Sequence, residues 1–405
     1  MDQLRKARVI CVVVVVGLVA AVLFHFVFAG LVLGRGYPAN TFLYDPAFRF
    51  ADFTDIFEPI RRGSPMGSKM SIYFPFAYVP LIPLLGLGWR RALAVMTAMF
   101  LSVLIGFVWR CLAGLPRGSR LIATVVLSFC TYPVIFALDR GNIELINFVL
   151  IVGFLALFRR ERYLAAAVPL ALATATKLYP GAFGILLLAH RQYRAAALTG
   201  AATAVVTVAA AASFPGGIGG TLASMRDHAG YIQQHYVLDV GATTFSTSYL
   251  SAAKTLIRAV VHDYLAIAPL ISLLYSVGCA LLFAAVTAYL LAVERVLWRQ
   301  VFLIAFLTIV IPQISFDYKL IWLLIPACLF IAAPAAGARQ DLFHAATFGF
   351  LLIPKAYFPF GSLTTIGVLL NPLAMTVMAA AIIRSGLRDR RSKPVASYSR
   401  IAGLA

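Results

Sequence analysis

Acidic side chains are scarce in this chain: Asp and Glu together number 15 in 405 residues, against 34 Lys plus Arg. Charged residues of both signs make up 12% of the sequence, about half the share found in a soluble globular domain, which excludes that class. Cysteine is sparse and odd in number. Cys11, Cys111, Cys130, Cys279 and Cys328 each fall inside an apolar run without paired spacing, so neither a disulfide framework nor a zinc site is expected. Nucleotide-phosphate motifs are missing as well. The glycine-rich stretch 216–220 follows no strand and precedes no Gly-Lys-Ser/Thr, and it is read as a flexible turn. His228 and His235 are seven residues apart, beside Asp227 and Asp239, but no tight ligand motif accompanies them, so a plain loop is favoured and no metal ligands are assigned.

What the chain has in excess is apolar surface. Hydrophobic residues make up 62% of it, and the mean hydropathy is +0.91. The runs 9–33, 121–138, 195–214, 266–293 and 363–383 each approach or exceed the roughly 20 apolar residues that one helical crossing needs. They lack the period-two alternation of a barrel, so the expectation is an all-α polytopic membrane protein. The first run is too long for a cleaved signal peptide and is expected to be retained. A net charge of +19 would point to nucleic acid in a soluble protein. Here the basic residues cluster between spans, as the positive-inside rule produces, and a nucleic-acid partner is not expected.

Arg5 to Arg8, Arg159 to Arg162, His190 to Arg194, Glu294 to Arg299 and the tail from Arg384 are accordingly assigned to the cytoplasm. Threading the chain between them gives one transmembrane domain over 1–405 with about 12 helices. Outer loops are expected at 34–70 and 215–260, and a cytoplasmic tail at 385–405. The 27 residues between Arg162 and His190 form a short helical hairpin with its tip at Lys177 to Pro180. In 71–112, parity asks for one full crossing plus a shorter piece.

With that threading, Asp45, Asp52, Asp55, Glu58, Arg140, Asn142, Lys177, Asp317, Lys319 and Lys355 all fall at outer ends of spans or in outer loops. Ionisable groups at membrane depth are costly and mark sites or pathways. Asp52 and Asp55, three apart, share a face of a short helix beside Phe53 and Phe57, which are expected on the bilayer surface. A carboxylate there suits a general base; the plainer reading is a solvated acidic loop balancing Arg49, Arg61 and Arg62. Arg140 and Asn142 interrupt two apolar spans, and a guanidinium has the fork geometry to hold a phosphate, unless it simply pairs with Asp139. Lys177 and Lys319 supply further cations, or snorkel to the interface. Tyr73, with Phe74, Phe76 and Tyr78, reads as an aromatic belt or as a platform for a sugar or isoprenoid.

Taken in order, the segments Arg49 to Phe53, Tyr73 to Tyr78, Arg140 to Asn142, Arg159 to Arg162 leading to Lys177 and Pro180, and Ser315 to Lys319 resemble the GT-C superfamily of membrane glycosyltransferases. The likeness runs over roughly residues 40 to 330 and is greatest to family 87, which includes polyprenyl-phosphate-mannose-dependent mannosyltransferases. The resemblance implies a GT-C-like fold with a functional first outer loop. It implies an inverting transfer of mannose or another sugar from a polyprenyl-phosphate donor to a cell-envelope glycan or glycolipid at the extracytoplasmic face of the cell membrane. Asp52 would be the base, with Asp55 next to it, and Arg140, Lys177 and Lys319 would take the donor phosphate. Asp45, Asn142, Tyr179, Asp317 and Tyr73 are candidate substrate contacts. Lys319 or Asp317 stands where many relatives have a histidine. No cofactor is required by these residues, and a divalent metal is left open. The competing class is a transporter or lipid-linked saccharide flippase, which also places charges at membrane depth; a membrane scaffold is the third.

Overall fold

In the computed structural model, the described residues are 1–67, 73–238, 243–261, 263–358 and 364–392. The chain is all-helical, with no strand among those residues beyond an isolated bridge of Ser246 with Phe316. The α-helices in chain order are α1 (Gln3–Val22), α2 (Ala51–Arg61), α3 (Gly88–Cys111), α4 (Arg117–Phe129), α5 (Tyr132–Arg140), α6 (Glu144–Arg159), α7 (Tyr163–Thr176) and α8 (Gly184–Ala189). They continue as α9 (Tyr193–Ser213), α10 (Gly217–Ile232), α11 (Tyr249–Arg258), α12 (Tyr264–Ala292), α13 (Leu297–Val310), α14 (Leu324–Ala332), α15 (Ala338–Leu351) and α16 (Gly367–Ser392).

Five of these stretches are long and apolar enough to cross a membrane: Gln3–Val32, Pro75–Cys111, Tyr193–Ser213, Tyr264–Ala292 and Gly367–Arg390. A sixth forms if α4 and α5, bent by 44° at their junction, count as one span. Of the five apolar runs expected from sequence, 9–33, 195–214, 266–293 and 363–383 overlap these spans, and 121–138 falls on the bent pair. The expected total of about twelve is not reached by this measure. The difference falls in 144–189 and 297–351, which are divided into helices of 6 to 16 residues. Polar residues and prolines make the divisions: α7 ends at Thr176, Lys177 is extended, and a 3-10 turn through Pro180 leads into α8. The hairpin tip therefore lies where it is expected. In 75–111, three prolines hold Pro75–Leu87 in a tight 3-10 path before the full helix α3.

Burial follows the logic of a lipid solvent. The outer helices α1, α9 and α12 show large apolar side chains outward, among them Val16, Val205 and Leu281. Helix α13 is instead buried from Trp298 through Val310, because beyond Gln300 it is apolar on nearly every side and it packs against α14, α16 and the following turn. Phe53 and Phe57 on α2 are stacked at 5.2 Å and fully buried in the core, not laid on the bilayer surface. The reason is that α2 is tucked against α3, α5 and the 3-10 stretch, so its apolar face finds protein first. The segment 215–260, expected as an outer loop, is largely helical in its described part, through α10 and α11. Gly216 makes a left-handed turn as expected, and the rest of the glycine run begins α10. Asp239 and residues 393–405 of the tail lie outside the described residues.

Candidate functional site

The site is assembled where the start of α2 meets the junction of α5 and α6. Phe50 takes a left-handed conformation, donates its N–H to the Asp139 carbonyl at 2.9 Å, and is followed directly by the first turn of α2. Arg49 Nε reaches Asp139 Oδ1 at 3.1 Å, so the two segments are held together by backbone and side chain at once. Gly141 closes α5 with φ +61, and a Cβ there would lie 3.0 Å from Phe53 Cβ. Glycine is required for both reasons: the left-handed turn and the close approach of α2. Asn142 Oδ1 then accepts the Glu144 N–H at 3.0 Å, which orders the first turn of α6.

This scaffold brings Arg140 onto one oxygen of Asp52: Arg140 Nε donates to Asp52 Oδ1 at 3.2 Å, with a second short hydrogen bond from the guanidinium to the same oxygen. The other oxygen, Oδ2, accepts from Asn142 Nδ2 at 2.6 Å, and the same amide reaches Tyr73 Oη at 3.2 Å. Arg140 also donates to the Phe48 carbonyl at 2.9 Å and lies 4.5 Å above the Tyr44 ring. Arg140 thus pairs across the chain with Asp52, while its neighbour Asp139 is taken by Arg49. Glu58 and Arg61 do pair on the exposed side of α2, as the plain acidic-loop reading would have it.

Asp52, Asp55, Arg140 and Tyr73 line one cavity of about 450 Å³. Its walls are Tyr44, Phe48, Phe136 and Tyr318, and Ile232, Tyr236, Thr244, Ile314 and Phe316 close the far side. A volume in this range and a largely apolar wall with few convergent polar groups are what a small-molecule site needs. Behind Tyr73 lies a second, buried layer. Lys177 Nζ is 2.5 Å from Glu144 Oε1 and 3.3 Å from Asn142 Oδ1, and it sits 4.7 Å from the centre of the Tyr73 ring. Tyr179 Oη donates to Glu144, and Trp322 Nε1 donates to its other oxygen at 3.1 Å. Lys319 lies 4.2 Å above the Tyr179 ring and donates to the Ile314 carbonyl at 3.2 Å.

The structure therefore brings together eight of the side chains singled out from sequence, but in layers. Asp52, Asp55, Arg140 and Tyr73 face the cavity; Asn142, Lys177, Tyr179 and Lys319 stand behind it. Asp317 is buried elsewhere, accepting from Tyr132 Oη at 2.9 Å and Thr247 Oγ1 at 2.6 Å, and Asp45 caps a 3-10 turn through the Ala47 N–H. Lys355 donates to the carbonyls of Phe350 and Ile353. Glu144 is the residue that the sequence reading misses. It is an acid inside an apolar run, and the cost of such a group is the signal that points to it. Among the described residues no three His, Cys, Asp or Glu side chains converge to hold a metal ion.

Asp55, on α2 outside the candidate spans, carries a titration consequence. Partial burial, and then the neighbouring Asp52 charge, raise its carboxyl above the usual carboxylate range. An acid raised in the folded state stabilises the fold fully below its unfolded value, and that contribution is lost as pH rises through the folded value. Asp55→Asn removes the titration. Its thermal midpoint in detergent is expected to fall less than that of the wild type as pH rises through the carboxylate range; equal pH dependence of the two proteins would refute the burial argument.

The model for glycosyltransferase family 87 matches residues 72–312, more than half of the chain. The chain belongs to that family. No curated protein and no solved structure matches it. Membership makes the protein a glycosyltransferase, and with its apolar spans a membrane one. The matched region holds Arg140, Asn142, Glu144, Lys177 and Tyr179. Asp52, Asp55, Asp317 and Lys319 lie beyond its ends.

Proposed function

We propose that the protein transfers a sugar, mannose or another hexose or pentose, from a polyprenyl-phosphate donor to a cell-envelope glycan or glycolipid. The observation that carries this reading is the Asp52, Arg140 and Asn142 set at the polar end of an apolar-walled cavity. An amphiphile with one anionic junction matches that shape better than a nucleotide does, and the chain has no nucleotide-phosphate motif. Arg140 faces the donor phosphate, and Lys177 and Lys319 add positive potential from the layer behind. Asp52 takes the proton of the acceptor hydroxyl, whose oxygen attacks the anomeric carbon from the face opposite the phosphate. The bond from that carbon to the phosphate oxygen breaks, and its electron pair leaves with the lipid phosphate. The phosphodiester monoanion becomes a monoester dianion, so a fixed guanidinium stabilises the charge that develops. The anomeric configuration inverts.

In the same reading the site is extracytoplasmic, the cell membrane holds the protein with both termini in the cytoplasm, and the short helices complete about twelve crossings. The mechanism as written needs no cofactor, and chelation of divalent cations belongs in the same assay. Membranes containing the protein, given radiolabelled sugars on polyprenyl phosphate or on nucleotides together with extracted envelope acceptors, are expected to form product from the lipid-linked donor. Product from nucleotide donors alone would reject the proposal.

A further inference from the structure

A second cavity, of about 420 Å³, lies at the other end of the bundle from the candidate site, between α3, α4, α6 and α14. Two helices measure the separation. Trp89, in the first turn of α3, has its ring 6.5 Å from that of Phe50, which heads α2 at the site, while Arg110 lies in the last turn of α3. At about 1.5 Å per residue, that helix of 24 residues is about 36 Å long. Likewise Glu144 begins α6 within the site, and Arg159 and Arg160 close it.

Four arginines rim this cavity: Arg110, Arg120, Arg159 and Arg160. Its floor is apolar, formed by Phe107, Val152, Leu155 and Leu329, and no carboxylate lines it. Arg120 is already oriented: its Nε donates to the Trp109 carbonyl at 2.9 Å, and its guanidinium stacks 3.9 Å from the centre of the Trp109 ring. None of the four makes an ion pair with an acid among the described residues.

Arginine at helix ends facing the cytoplasm is expected from topology alone. Topology does not require a cavity whose rim is fourfold cationic and whose floor is hydrocarbon. We propose that this cavity binds an anionic phospholipid of the leaflet opposite the candidate site, with the headgroup phosphate among the arginines and the start of an acyl chain on the apolar floor. Basic pockets between membrane helices recognise lipid headgroups in this way, and guanidiniums match phosphate bidentately. The proposal does not depend on the donor or acceptor assigned above.

The test uses the purified full-length protein in detergent, with native mass spectrometry during titration of phosphatidylglycerol, phosphatidylcholine or water-soluble glycerol phosphate. Phosphatidylglycerol is expected to bind in preference to phosphatidylcholine. The double substitution Arg159→Gln/Arg160→Gln is expected to weaken it by about fivefold per guanidinium removed, or about thirtyfold in all. Arg191→Gln/Arg194→Gln, which removes equal charge from the loop before α9, is expected to leave binding within about twofold of the wild type on the same scale. Equal weakening by both pairs would show general surface attraction and overturn the cavity. Binding of glycerol phosphate as tight as that of the lipid would overturn the role of the apolar floor. Thermal unfolding of each variant reports whether it is folded, and retained family transferase activity in Arg159→Gln/Arg160→Gln separates loss of this site from loss of the other.

Discussion

Asp52→Asn is expected to lower sugar transfer by about a hundredfold to ten-thousandfold, the range that one positioned proton acceptor contributes. The amide keeps the size of the side chain and can still meet Asn142, but it cannot take a proton and it no longer neutralises Arg140. Donor binding should therefore persist or tighten, because the guanidinium that Asp52 holds in the free protein becomes available to the phosphate. Initial rates with labelled donor give the first quantity, and retention of the labelled lipid on purified protein gives the second. A variant that transfers at the wild-type rate would remove Asp52 as base. If Asp55→Asn then abolished transfer, the role would pass to Asp55, which faces the same cavity.

The second large effect is on stability. Glu144→Leu leaves the buried Lys177 ammonium without its carboxylate, and removing one partner of a buried pair costs about 3–5 kcal/mol. Adding Lys177→Met removes the stranded charge, so the double variant should regain most of that loss; buried ion pairs are often no better than apolar residues of similar size. Unfolding in detergent of the two single variants and the double variant measures the coupling. A double variant as unstable as Glu144→Leu alone would show that the pair is not the source of the cost. Transfer is expected to stay low in the restored double variant, because the cation behind Tyr73 is absent while the fold is present. Recovery of transfer would assign Lys177 to packing alone.

Sequence legibility divides along physical lines. Hydropathy is a local sum, so the spans at 9–33, 195–214 and 266–293 are readable without knowing their neighbours, and so is the class of the protein. The break at Lys177 is readable too, since Pro180 and a charge interrupt an apolar pattern locally. The helix carrying Asp52 and Asp55 is visible from their spacing, but its depth is not. Phe53 and Phe57 look the same to a hydropathy reading whether they meet lipid or protein, and it is the contact with α3 and α5 that buries them.

Partners are less legible than positions. Asp52 meets Arg140 and Asn142 across 88 and 90 residues, and Glu144 meets Lys177 across 33 and Trp322 across 178. No local pattern encodes such pairings; they arise from which helices pack. The sequence by itself determined a basic, polytopic helical membrane protein with its scarce acids placed at helix ends, because those properties depend on composition and local order. The tertiary structure alone decided that Arg140 faces a cavity with both aspartates while Lys177, Lys319 and Asp317 stand behind or apart from it. In lipid, the depth and direction of a charged side chain are set by the neighbours that satisfy it, and those neighbours are chosen by helix packing.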